Sequence, residues 1–169
     1  MIKFKLRRFK KGDEETLRKN INDPNVYKNT IRIPYPYTKK DSRNWINHNL
    51  KLNKIKKPEE INFVIDINGE VAGSVSLDGI SRNKNNAEIG YWLSKKYWGY
   101  GIMTKAVKKV INFCFNKLKL KRIYAYVFVF NKASARVLEK VGFKLEGKLR
   151  KNFRKKRKYY DSFLYAIIK

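Results

Sequence analysis

The chain has 169 residues, 43% hydrophobic and 33% charged, which suits one folded domain over residues 1–169 and excludes a disordered chain. One cysteine and one histidine exclude a disulfide framework, a cysteine zinc site and a histidine-cluster metal site, so no metal is expected. Lys and Arg number 41 against 14 Asp and Glu, a net charge of +27, which either favours an anionic partner such as RNA or the ribosome or reflects a Lys-, Asn- and Ile-rich composition.

Residues 4–9 alternate as an amphipathic first strand that begins in Met1-Ile2-Lys3. They do not form the continuous apolar run of a signal peptide. No apolar run approaches the ~18 residues of a membrane span, so the expected location is the cytoplasm. Gly12-Asp13-Glu14-Glu15 opens a helix with its acids in the first turn, and Asn22-Asp23-Pro24 breaks it. An extended aromatic loop follows at Ile33-Pro34-Tyr35-Pro36-Tyr37. Thr38 caps a second helix, with Asp41 completing a capping box, and this helix is expected to run to Lys57-Pro58. His48 lies on it among Lys and Asn and reads as a surface residue.

A β-branched run at 61–67, an Asn68-Gly69 turn and a run at 71–80 form a hairpin. A polar turn at 82–86 leads to a third strand at 87–93, apolar on both faces and therefore central. Residues 99–118 form a helix with Met103, Ala106, Val107, Val110 and Cys114 on one face, the cysteine as a small core residue. A strand at 122–130 and a short helix at 132–141 ending at Gly142 follow. A last hairpin, 143–150 and 159–168, carries a basic tip at 151–158 that either grips RNA or is simply solvated. The order gives an α/β (α+β) fold: a mixed sheet of about seven strands flanked by four helices.

The chemistry concentrates between Glu88 and Thr104. A strand ends at Leu93, a loop carries Trp98-Gly99-Tyr100-Gly101, and a helix begins at Ile102-Met103-Thr104. Free N–H groups at a helix start attract anions, and glycines let a phosphate approach the backbone. Pyrophosphate is the natural guest. Without a Gly-Lys-Ser/Thr end or a third glycine, the loop is neither a Walker A motif nor a full dinucleotide fingerprint.

Glu88-Ile89-Gly90-Tyr91-Trp92-Leu93, then Tyr97-Trp98-Gly99-Tyr100-Gly101 and Thr104, resemble motif A of the GNAT N-acetyltransferase superfamily in its RimJ/RimL-like form. Asn131-Lys132-Ala133-Ser134 with Val141-Gly142-Phe143 resembles the second motif. Residues 34–38 with Trp45, and residues 146–150 with Tyr160-Asp161, resemble the subgroup's acceptor-side segment and C-terminal hairpin. The resemblance implies the GNAT fold and direct acetyl transfer from acetyl-CoA to an amine, with no metal. It implies that Leu93, Trp98, Gly99, Gly101, Ile102, Met103, Thr104, Asn131 and Ser134 hold the cosubstrate. It also implies a backbone N–H near Leu93 for the oxyanion.

Only a free amine attacks, so a base is needed; Glu88, bordering the cofactor cleft, is the candidate, against a carboxylate held across the sheet. The leaving thiolate needs a proton. The family's helical tyrosine position is Leu138 here, which leaves Ser134 as donor, or as a hydroxyl that only binds CoA. Tyr35, Tyr37 and Trp45 line the acceptor pocket or pack under the loop. The expected acceptor is a protein N-terminal α-amine of ribosomal-protein type. A small amine (amino acid, amino-sugar, polyamine or antibiotic) and a non-catalytic RNA- or ribosome-binding role are the alternatives. Few acids fall near the acceptor side, which argues against polycations. The protein is expected as a monomer or homodimer.

Overall fold

The computed structural model describes residues 2–81, 83 and 85–169; Met1 of the first strand pattern, and Arg82 and Lys84 of the polar turn, lie outside the described residues. Strand β1 (Lys5–Arg8) pairs antiparallel with β2 (Ile61–Ile67). β2 turns at Asn68-Gly69 into β3 (Glu70–Ser81), which pairs antiparallel with β4 (Asn86–Leu93). In the C-terminal part, β7 (Lys158–Ile168) lies between β5 (Arg122–Phe128) and β6 (Lys144–Lys155), antiparallel to both. The seven-stranded order is β1-β2-β3-β4-β5-β7-β6, so β4 is central as its two-faced apolar pattern predicts. Among the described residues the parallel contact is β4 with β5.

The helices are α1 (Glu14–Ile21), α2 (Pro24–Asn29), α3 (Lys39–Leu52), α4 (Ile102–Asn116) and α5 (Lys132–Lys140), with a 3₁₀ turn at Lys95–Tyr97. Five helices replace the four expected, because Pro24 starts a helix as well as ending one. Proline is tolerated at a first helical position, where its missing N–H has no partner to lose. The Asp23 carboxylate accepts from the Asn25 N–H at 2.6 Å and caps it. The Thr38–Asp41 capping box forms as predicted. α3 ends at Leu52, short of Lys57-Pro58; Asn53 caps it, its N–H bonding back to the Asn49 carbonyl while its side-chain amide donates to the Phe9 carbonyl at 3.1 Å. The basic tip shrinks too: β6 runs to Lys155 and β7 starts at Lys158, so of residues 151–158 only Lys156 and Arg157 lie outside the strands.

Two cores form because β2 and β3 bury side chains on both faces. Ile61, Ile65, Ile67, Val75 and Leu77 join Val107, Val110 and Cys114 of α4 and Leu138 of α5. Val64 and Val71 face the other way and join Leu17, Val26 and Ile46 of the first three helices. Each such side chain, fully buried, contributes about 1.5–3 kcal/mol. Burial pushes the Cys114 thiol up to about 12, which fits a core residue.

Two further contacts fix the frame. Arg7 donates from Nε to Asp66 at 2.5 Å and from both terminal nitrogens to Asp13 at 2.7 and 2.8 Å. Both carboxylates are buried, so the triad ties β1 and β2 to the start of α1. Gly73 of β3 lies where a Cβ would stand 2.5 Å from the Trp92 carbonyl oxygen, so only glycine lets β3 approach the end of β4 this closely.

Candidate active site

β4 and β5 start side by side and then part. They pair through Asn86–Arg122, Ala87–Ile123 and Glu88–Tyr124, and the ladder stops there. Beyond it a cavity of about 1010 Å³ opens, lined by Ile89 to Leu93 on one strand and Ala125 to Phe128 on the other. Pockets of about 300–1,000 Å³ hold drug-sized ligands, so this one suits a large, extended guest.

One end of the cavity reaches the start of α4. Gly99 (φ +81°) and Gly101 (φ +70°) are left-handed, a conformation glycine adopts without strain. The position of a Cβ on either is empty to 4 Å, so the glycines leave a hollow in front of the helix. Gly101 is the N-cap and supplies no capping side chain, and the first turn carries no acid. The first intrahelical bond comes from Lys105 N–H to the Gly101 carbonyl at 3.2 Å, which leaves Ile102, Met103 and Thr104 N–H outside the helical ladder. A pyrophosphate fits this hollow, where the helix dipole adds attraction. The Trp98 indole N–H donates to the Leu93 carbonyl at 2.8 Å and fastens the glycine loop to the strand end. Arg136 and Lys140 of α5, which the motif reading passed over, line the same cavity.

The predicted pieces converge with one exception. Glu88, Leu93, Trp98, Gly99, Gly101, Ile102, Met103, Thr104, Asn131, Ser134, Tyr37 and Trp45 all line the cavity. Tyr35 does not; its ring packs 5.8 Å from Tyr27 and is 44% exposed. Tyr37 is almost wholly buried in the second core, with its N–H donating to Asn22 Oδ1 at 2.9 Å, so it supports the wall from behind. Asn131 caps α5 by accepting from the Ser134 N–H at 3.1 Å. Leu138, at the family's tyrosine position, is fully buried.

The motifs did not reveal Tyr91. Its hydroxyl lies 2.8 Å from the Ser134 hydroxyl and donates to the Ser134 carbonyl at 3.1 Å. A strand hydroxyl thus stands beside Ser134 although the helical tyrosine is absent. Burial holds the Tyr91 hydroxyl well above its ordinary range, so it serves as a hydrogen-bonding group and stays protonated.

The acceptor side corrects the expectation of few acids. Asp78 lies directly opposite Glu88 in the β3–β4 ladder, and Glu60 lines the same cavity. Neighbours across a strand pair stand on one face with Cβ atoms roughly 4.5–5.5 Å apart. Burial raises the Glu88 carboxyl; the Asp78 charge raises it further, and Arg32 opposes both. Asp78 is likewise raised by burial first, with Arg32 opposing at 3.5 Å and Glu60 adding to the rise. The register places Asp78 there through the hairpin geometry, which composition alone does not show. His48 is exposed on α3, as a surface residue is expected to be. It lines the cavity and pairs with Glu60 at 2.8 Å.

The sequence profile of the acetyltransferase (GNAT) domain matches residues 3–144. YdaF of Bacillus subtilis (strain 168), provisionally named a ribosomal N-acetyltransferase, is 36% identical over 101 residues, 60% of this chain and 55% of its own. The chain spans 55% to 65% of the lengths of the first curated relatives it matches. Ribosomal-protein-S5-alanine acetyltransferase from Vibrio fischeri superposes with a TM-score of 0.86 at 26% identity, covering 98% of this chain and 92% of that one. The microcin C7 self-immunity acetyltransferase MccE, solved with acetyl-CoA and AMP, superposes at 0.80 with 29% identity, covering 92% and 86%. Further relatives are named for L-amino acids and for spermidine.

Proposed function

Because the chain belongs to the GNAT acetyltransferase family, we propose that it transfers acetyl from acetyl-CoA to a primary amine, the α-amine at the N-terminus of a protein of ribosomal type. The observation that carries the transfer is the joining of two features in one cavity: a hollow glycine loop before an uncapped helix, and a half-buried carboxylate where the strands part.

Acetyl-CoA supplies the activated acetyl thioester. The N–H groups of Ile102, Met103 and Thr104, with the hollow at Gly99 and Gly101, hold its pyrophosphate. Leu93 and Trp98 fix the loop, and Asn131 fixes the start of α5 so that Ser134 faces the cavity. Glu88 accepts a proton from the acceptor ammonium; burial raises its carboxyl above the ordinary carboxylate range, which makes it a stronger base than an exposed glutamate. Ser134, hydrogen-bonded to Tyr91, provides the hydroxyl at the leaving-sulfur end. Trp45 and the backing Tyr37 shape the acceptor wall.

The names of YdaF and the Vibrio fischeri protein support the protein acceptor. The cations of the β6–β7 hairpin support a working position beside ribosomal RNA, with contacts that weaken as salt rises. One observation favours a second reading, a small cationic amine: Asp78, Glu60 and Glu88 on the acceptor side. Labelled acetyl-CoA added to a size-separated cytosolic extract discriminates the two. Label in a discrete macromolecular band is the expected result. Label confined to small molecules replaces the protein acceptor with a metabolite amine.

A further inference from the structure

We infer that His48, oriented by Glu60, is the outlet through which the proton taken from the acceptor amine leaves for bulk water; this rests on the acetyl-transfer reading above. The balance of that reaction requires an outlet. An acceptor ammonium loses two protons as its nitrogen bonds to the acetyl carbon and the carbon–sulfur bond breaks. One proton ends on the departing sulfur. The other must reach solvent in every turnover, or Glu88 stays protonated and the next amine is not activated.

A group of ionisable side chains shares the cavity with Glu88. Asp78 faces Glu88 across the β3–β4 ladder. Glu60, just ahead of β2, and His48, on α3, line the same cavity and lie within electrostatic reach of Asp78. His48 Nε2 lies 2.8 Å from Glu60 Oε2, and the His48 side chain is 45% exposed, so its ring meets both the cavity and the solvent. Imidazole is the side chain that takes up and gives up protons between about pH 5 and 8.

The ring is built in on each side. Glu60 Oε1 accepts from the Asn62 side-chain amide at 2.7 Å, and that amide is buried and also donates to Asn49 Oδ1 at 2.9 Å. Asn49 in turn donates to the Trp45 carbonyl at 2.9 Å, and the Trp45 ring lies 5.6 Å from the imidazole. A carboxylate that fixes an imidazole, itself fixed by a third group, is the arrangement that selects one tautomer and one direction of proton passage. An ordinary surface histidine has no need of a buried asparagine behind its partner. The charged groups facing His48 are Glu60, Asp78 and Arg32 around it, Asp41 two turns back on the cavity side of α3, and Glu88 across the cavity.

The test uses the full chain, acetyl-CoA and an alanine-terminated peptide, with CoA release followed by a thiol reagent. The variants are His48→Ala and His48→Gln, the second keeping a polar group beside Glu60; melting curves confirm that both fold. In dilute buffer without imidazole, both are expected to lose about tenfold or more in kcat with little change in KM for either substrate. Added imidazole is expected to restore most of the His48→Ala rate, because a small base entering the vacated space delivers the proton to water. A loss that imidazole does not restore assigns His48 a packing role and overturns the inference, as does an unchanged kcat. No CoA release by the wild type overturns the transfer reading itself and the inference with it. Glu60→Gln, which removes the carboxylate that orients the ring, is expected to lower kcat several-fold with little change in KM; an unchanged kcat breaks the link between the two groups.

Discussion

Replacing Gly101 by alanine separates the cost of the glycine loop to the fold from its use to a ligand. At φ +70° an alanine is strained by about 1–2 kcal/mol. Nothing lies within 4 Å of the new Cβ, so no clash adds to this in the free protein. For a chain of this length the strain corresponds to a fall in melting temperature of about 2–8 °C. Binding should suffer separately. The methyl fills the hollow that brings a phosphate to the N–H groups of Ile102, Met103 and Thr104. Losing one charge-assisted hydrogen bond costs about 1.5–3 kcal/mol, or roughly ten- to hundredfold in affinity. Gly12→Ala is the matched control: Gly12 is also left-handed (φ +95°) with open space at its Cβ, and it does not line the cavity. Calorimetric titration with coenzyme A, beside thermal melts of all three proteins, gives both quantities. Similar melting losses with weakened binding only in Gly101→Ala is the expected pattern. Wild-type affinity in a folded Gly101→Ala protein would refute the assignment of the anion site.

Glu88→Gln is expected to lower kcat by about a hundredfold or more with little change in CoA affinity. Burial and Asp78 raise Glu88, so the wild-type kcat/KM should climb with pH above the ordinary carboxylate range. Asp78→Asn removes a like charge and should move that limb to lower pH; a limb that stays in place detaches Asp78 from the base. Arg7→Ala leaves Asp13 and Asp66 buried without a counter-ion and should cost about 3–5 kcal/mol in urea melts. At Asp66 burial opposes ionisation, but the Arg7 guanidinium and the Gly69 amide outweigh it and hold the carboxyl below its usual range. That contribution is present above the unfolded carboxylate pKa and is lost as pH falls through the folded one, so the variant should lose less stability on acidification than the wild type. Equal pH slopes would rule out this account. Gly73→Ala forces a Cβ to 2.5 Å from the Trp92 carbonyl oxygen and should cost about 1–3 kcal/mol, read by thermal melting. An unchanged melting temperature would show that the strands need no such closeness.

Local signals carried the parts of this fold that local physics decides. The Asn68-Gly69 turn, the Thr38–Asp41 box and the apolar stripe of α4 depend on neighbours within a few residues, and each appears where the sequence places it. α2 escaped because Pro24 reads equally as a stop and as a start, and the Asp23 cap that decides between them depends on side-chain geometry. The length of the last hairpin escaped because its lysines look like a loop, whereas pairing with β7 holds them extended. The glycine loop, Asn131 and Ser134 were legible because a motif names them together. Asp78 and Glu60 were not, because strand register sets Asp78 against Glu88, and strand pairing brings Glu60 within electrostatic reach of Asp78. His48 was legible as a surface residue, but its pairing with Glu60 was not, because that partner lies across a gap on another element.

The parting of β4 from β5 divides the molecule mechanically. One plate carries the elements up to α4 and the other β5, α5 and the last hairpin; three residue pairs rivet their strands at one end, and the core shared by α4 and α5 joins them beneath. The glycine loop stands on the first plate, Asn131 and Ser134 on the second. A cosubstrate that touches both acts as a spacer that sets the width of the gap. Any guest that spans the gap therefore rests on two walls built by different stretches of the chain, and its fit depends on how far the strands stand apart past Glu88.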